Sequence, residues 1–114
     1  QVDVVVGVAE SLLEVVALAN VANTTAGVTV ITGIGEDSTT AIMGISAGGL
    51  VGHLHTHATA NAVLQIFSSV RTMPAIGRHF YAWLEYSAAT GTTTWYGDAA
   101  QLTLQTGLVG SIDG

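Results

Sequence analysis

From Asn23 onward, short runs of Val, Ile, Thr and aromatic residues alternate with Gly, Asn, Asp and Ser. They fit strands separated by turns. The spacing predicts strands near 27–32, 39–45, 49–57, 62–70, 79–86, 92–96 and 101–111. The clearest is 79–86. There Phe80, Ala82, Leu84 and Tyr86 share one face, and His79, Tyr81, Trp83 and Glu85 share the other. Ser87-Ala88-Ala89-Thr90-Gly91 then reads as a hairpin loop, with Gly91 free to adopt positive φ. Strand 92–96 should return antiparallel beside 79–86. Pro74 falls in a turn, where it removes no ladder hydrogen bond. Gly107 and Gly110 in the last run suggest bulges or close approach of another backbone. The expected fold is mainly β: an antiparallel sandwich, of jelly-roll type or similar.

The first 22 residues differ from the rest. Val5, Val8, Leu12, Val15, Ala19 and Ala22 recur at steps of three and four, a heptad-like seam. Two helical readings follow: an amphipathic helix packed on its own domain, or the end of an oligomeric stalk. Val4-Val5-Val6 favours a third, an N-terminal strand over 2–8. The expected division is therefore an attachment segment, 1–22, and a sandwich head, 23–114.

The surface chemistry is sparse. Among 114 residues there is no lysine, no cysteine and two arginines, with a net charge of −6. A chain this acidic cannot neutralise phosphates, which argues against nucleic acid and against anionic membranes. No apolar run reaches the roughly 18 residues of a membrane span. Charged residues make up 9%, against about 25% in typical domains. A surface so poor in charge tends to associate. Thr, Ser, Asn and Gly can supply polarity, and burial in an oligomer removes the remainder. Without cysteine, disulfides and thiolate metal sites are excluded. No signal peptide is visible, and a start at Gln1 suggests a processed product or a fragment.

Three histidines alternate: His53, His55 and His57. On a strand their rings project from one face, about 6.5 to 7 Å apart. One strand cannot wrap three such ligands around a metal. A trimer could, with one or two histidines per chain meeting at a threefold axis and binding Zn, Ni, Fe or Cu. Two other readings stand beside it: a polar strand without metal, and an interface that repels itself once the rings are protonated.

Glu36-Asp37 lacks the alternating acids of a calcium-binding loop and reads as an acidic surface turn. Gly33 and Gly35 read as turn glycines. Gly44-Ile45-Ser46-Ala47-Gly48 superficially resembles a nucleophile elbow, but another β-like run follows it where a helix is required. Acids for glycan cleavage would come from Glu36, Asp37, Glu85 or Asp98, and no spacing selects a pair. The composition does not suit an enzyme. Arg71 and Arg78 bracket the Pro74 turn. They would grip a carboxylate across a subunit boundary or on a ligand, or pair locally with Glu85 or Asp98. Tyr81, Trp83 and Trp95 are candidates for a sugar- or protein-binding surface, or else core. Candidate oligomer contacts are Val5, Val8, Leu12, Val15, Ala19, Arg71 and Arg78.

The stretch from Arg71 to Asp98 carries Gly77-Arg-His-Phe-Tyr-Ala-Trp-Leu-Glu85, a Thr-rich loop and Trp95-Tyr-Gly97. With the ending Gln105-Thr-Gly-Leu-Val-Gly-Ser-Ile112, it resembles the C-terminal β-domains of bacteriophage tail-fibre, head-fibre and decoration proteins. The likeness covers about the last 45 residues. It implies a trimeric jelly-roll or tumour-necrosis-factor-like head on a virion, with residues 1–22 as its stalk. The implied partners are copies of itself, other virion proteins and a host surface glycan or protein. The triple histidine is also similar to axial metal-binding histidines of some phage spikes. The resemblance supplies no catalytic residue and no cofactor beyond that metal. A self-assembling extracellular filament or surface-layer subunit is the expectation from a second class, and a polysaccharide-acting enzyme from a third.

Overall fold

The structure is a computed structural model and describes residues 1–7, 11–43, 52–97 and 106–113. These form eight strands and, among the described residues, no helix: β1 Val2–Val6, β2 Leu13–Asn23, β3 Thr29–Glu36, β4 Gly52–Thr56, β5 Leu64–Thr72, β6 Gly77–Ser87, β7 Thr93–Tyr96 and β8 Gly107–Ile112. All pairings are antiparallel. The first sheet has the order β1-β6-β3-β4, and the second β5-β2-β7, with β8 also on β2. β5 lines one edge of β2 from Leu13 to Val21. β8 and β7 share the other edge end to end, opposite Leu13–Leu18 and Asn20–Asn23.

The helix expected over the first 22 residues is replaced by β1 and β2, in line with the strand alternative for the N-terminus. On a strand, residues an even number apart share a face. Leu13, Val15, Ala17, Ala19 and Val21 therefore line the inner face of β2, each essentially without solvent exposure. Leu12 and Ala22 fall on the opposite parity, so the heptad seam is split between two faces. Residues 12–22 are almost continuously apolar, which satisfies a helical period and a strand period alike. Pairing along both edges decides the outcome, because it satisfies most of the backbone of β2. The expected division after residue 22 falls inside this strand, so 13–22 belong to the sandwich rather than to a stalk.

The core lies between the sheets. Leu13, Val15, Ala17, Ile34, Val70 and Tyr81 form one cluster. Ala19, Val21, Val30 and Ile66 form the other, and Trp83 packs on both. Each of the larger aliphatic side chains here gains about 1.5–3 kcal/mol by leaving water. Buried polar groups are tied at Thr32, across the layers by Ser68 of β5 and within the first sheet by Trp83 of β6. The Ser68 hydroxyl donates to Thr32 O at 2.9 Å, and Trp83 Nε1–H to Thr32 Oγ1 at 2.9 Å.

The expected β6–β7 hairpin is overturned. β6 has β1 on one edge and β3 on the other. The chain therefore crosses to the second sheet, where β7 pairs with β2. This crossing is pinned by Asn23. Its Nδ2 donates to Thr93 Oγ1 at 2.7 Å and to Thr90 O at 3.2 Å, and its Oδ1 accepts from Thr25 N–H at 2.7 Å. Gly91 does have positive φ, 69°. A Cβ there would also come within 2.6 Å of Asn23 Oδ1 and 2.9 Å of Thr24 Oγ1. Run 39–45 is not a strand as far as it is described, and residues 44 and 45 lie outside the described residues.

Candidate functional site

The histidine strand closes one side of the sandwich. β4 is the last strand of the first sheet, and β5 the last of the second. His53 lies opposite Thr32 and His55 opposite Val30, both inner-face residues of β3. Leu54 and Thr56 face out. The rings therefore turn inward, not toward an external axis. His53 Nδ1 lies 3.1 Å from Phe67 O on β5, and the two rings meet edge to face. His57 follows β4 and is fully buried. Its Nε2 lies 3.4 Å from Val21 O, and its Nδ1 has no protein partner. The His55 and His57 rings are 6.0 Å apart, nearly perpendicular. Among the described residues, no three His, Cys, Asp or Glu side chains converge on a point that could hold a metal. The threefold-axis arrangement expected of these three rings does not suit His57, because its burial leaves it no path to an outer surface.

The candidate binding aromatics are core. Tyr81 is fully buried, Trp83 packs on both clusters and Trp95 on the second. Burial is the leading reason the Tyr81 phenol is pushed well above its usual range. Its hydrogen bond to Glu36 Oε1, at 2.7 Å, adds to the rise. The arginines pair locally, with partners other than those expected. Arg71 Nε lies 3.4 Å from Glu14 Oε2, directly across β2 and β5, and Arg78 is 3.2 Å from Asp3 Oδ1. Both pairs are largely solvated. Of the oligomer candidates, Val15 and Ala19 are sealed in the core, Leu12 is half-buried and Val5 is 78% exposed. Val8 lies outside the described residues, as do Ser46 and Asp98.

Apolar side chains also stay open on the outer faces of both sheets. On the first sheet, Leu54, Ile31 and Tyr86 are direct neighbours across β4, β3 and β6, with Leu54 61% and Tyr86 57% exposed. On the second, Leu18 faces Phe67 and Val16 faces Val109, with Phe67 47% and Val109 70% exposed.

Beside the first row runs a cleft of about 430 Å³, bounded by Ile31, Gly33, Ile42, Leu84 and Tyr86 and by the polar groups of Thr39, Thr40 and Glu85. Partial burial pushes the Glu85 carboxyl above its usual range. The wall of the cleft is the segment 37–43, which lies on Gly35. A Cβ at Gly35 would collide with Ser38 O and come within 2.8 Å of Ala41 O. Gly33 and Gly35 are thus mid-strand positions, not turns. Ser38 Oγ accepts from Ala41 N–H at 2.9 Å, and Met43 N–H donates to Ile34 O at 2.9 Å.

The acidic turn is the start of this wall and is more than a solvated corner. Asp37, at φ 50°, places Oδ2 2.8 Å from His79 Nδ1 and accepts at Oδ1 from Phe80 N–H at 3.0 Å, while its own N–H donates to Phe80 O at 2.9 Å. The Phe80 amide and then His79 hold the Asp37 carboxyl below its usual range. Asp37 in turn leads in raising His79. Nothing in the sequence spacing joins positions 42 residues apart. The one local sign is an acid in a turn, a residue type that tolerates positive φ.

No protein-family profile, no curated protein and no solved structure matches this chain.

Proposed function

We propose that this chain is a non-enzymatic structural protomer of a bacteriophage virion. It would be the β-sandwich head of a homotrimer that decorates the particle or contacts the host surface. The jelly-roll form of the sandwich, the extracellular setting and the partners, other virion proteins and a host glycan or protein, belong to the same proposal. The observation that carries it is the pair of apolar rows on the outer faces of both sheets. An isolated sandwich ordinarily presents polar outer faces, and contiguous apolar patches mark contacts. The resemblance of the last 45 or so residues supplies the virion setting.

β1 supports a second reading, the self-assembling filament or surface-layer subunit. Among the described residues it ends the first sheet and presents the exposed Val5, and an edge of this kind can template another strand. Light scattering on the purified chain separates the two. A discrete mass of three chains supports the trimeric head, and open polymers support the filament. A single-chain mass at every concentration contradicts both.

A further inference from the structure

His79 has acceptors on both ring nitrogens. Asp37 Oδ2 lies 2.8 Å from Nδ1, and Ala75 O lies 3.0 Å from Nε2. A neutral imidazole carries one N–H and one lone pair, so it can satisfy one of these acceptors and must turn the lone pair toward the other. An imidazolium satisfies both. The ring is largely buried, with a side-chain exposure of 16%. It joins the start of segment 37–43 to the turn before β6, and that segment rests on Gly35 and walls the cleft.

We infer that Asp37 and His79 form a pH-sensitive clasp, which fixes segment 37–43 over the outer face of the first sheet and loosens it as His79 loses its proton. The arrangement does not suit general base catalysis, because neither ring nitrogen is left facing a reactant. The groups around the ring are consistent with a charged ring. Asp37 faces it from the segment, and the Glu36 carboxylate lies beyond at the end of β3, holding the Tyr81 hydroxyl of β6. From β1, Val4 stands opposite His79 and carries no charge, while Asp3 is engaged by Arg78. The turn contributes the Ala75 carbonyl.

The sign follows from the two shifts. The His79 contribution is full below the ordinary histidine value of about 6.5 and disappears as pH rises through its raised folded value. The Asp37 contribution is full above the ordinary value of about 3.9 and disappears as pH falls through its lowered folded value. The clasp is therefore complete between roughly pH 4 and 6.5 and opens on the alkaline side.

The clasp does not depend on what assembles on the sandwich. Its test is NMR on the full chain. The His79 ring is titrated while exchange of the Asp37 and Met43 amides is followed, each rate divided by its intrinsic rate at the same pH. Protection of both amides should fall several-fold through the His79 midpoint. That midpoint should lie above the ordinary histidine value in the wild type and drop in Asp37→Asn. In His79→Gln the protection should be lower and should show no step in that range. Wild-type protection that stays flat through the His79 titration overturns the clasp. So does the same step persisting in His79→Gln. If His79→Gln does not fold, the wild-type profile and the midpoint in Asp37→Asn decide.

Discussion

β2 and β6 are both 11 residues long and hold the sandwich in different ways. β2 is paired along one edge by β5 and along the other by β8 and β7, and its inner row is made of Leu, Val and Ala. The inner positions from Leu13 to Val21 are all fully buried. β6 has β3 along most of one edge, whereas β1 covers the other edge only from Gly77 to Tyr81. Its inner face carries Tyr81 and Trp83, each tied by a polar tip, to Glu36 Oε1 and Thr32 Oγ1. The contrast separates two ways of making a core. β2 relies on pairing along both edges around aliphatic side chains. β6 relies on large rings with one oriented hydrogen bond each.

Four changes test the contrast, in descending order of effect. Val15→Asp places an unpaired charge at a fully buried position of β2. It should cost upwards of about 4 kcal/mol and leave no cooperative unfolding transition by circular dichroism. Trp83→Ala removes the ring that joins the two clusters. Urea unfolding should show a loss of about 3–5 kcal/mol; a change under about 1 kcal/mol would mean that Trp83 is not core. Gly91→Ala introduces a Cβ at positive φ against Asn23 and Thr24. It should cost about 1–3 kcal/mol, read as a lower urea midpoint with unchanged slope. Arg71→Ala removes a solvated cross-strand pair. Its effect on stability should stay below about 1 kcal/mol, with no change in native mass. A mass change would return Arg71 to the list of subunit contacts.

The same two strands show what the residue order discloses. The alternation of β6 was plain because large rings and polar residues mark its two faces, and β4, β5 and β7 lie within a few residues of their expected places. Strand partners were not legible. The β6–β7 hairpin looked local, yet which edge β7 finds depends on β1 and β3 already occupying β6, a property of distant residues. β2 was obscured by its own burial, since a strand that is apolar at nearly every position carries no period. His53 and His55 do share one face of β4, as their alternation led one to expect, whereas His57 lies beyond the strand. Whether that face looks inward was set by the pairing of His53 and His55 with Thr32 and Val30. The clasp was hidden for a similar reason. Asp37 and His79 meet only because β3 ends beside the middle of β6.

These placements move the candidate contact surface away from Tyr81, Trp83 and Trp95, which the core uses, to the outer rows. A single variant carrying Leu54→Glu and Phe67→Glu adds charge to both outer faces and leaves the inner rows untouched. Its native mass by sedimentation, beside that of the wild type, tests the account most directly. A wild type that sediments as several copies and a variant that sediments as one chain, with stability kept to within about 0.5 kcal/mol for each exposed change, is the predicted result. A variant that keeps the wild-type multi-chain mass would contradict it.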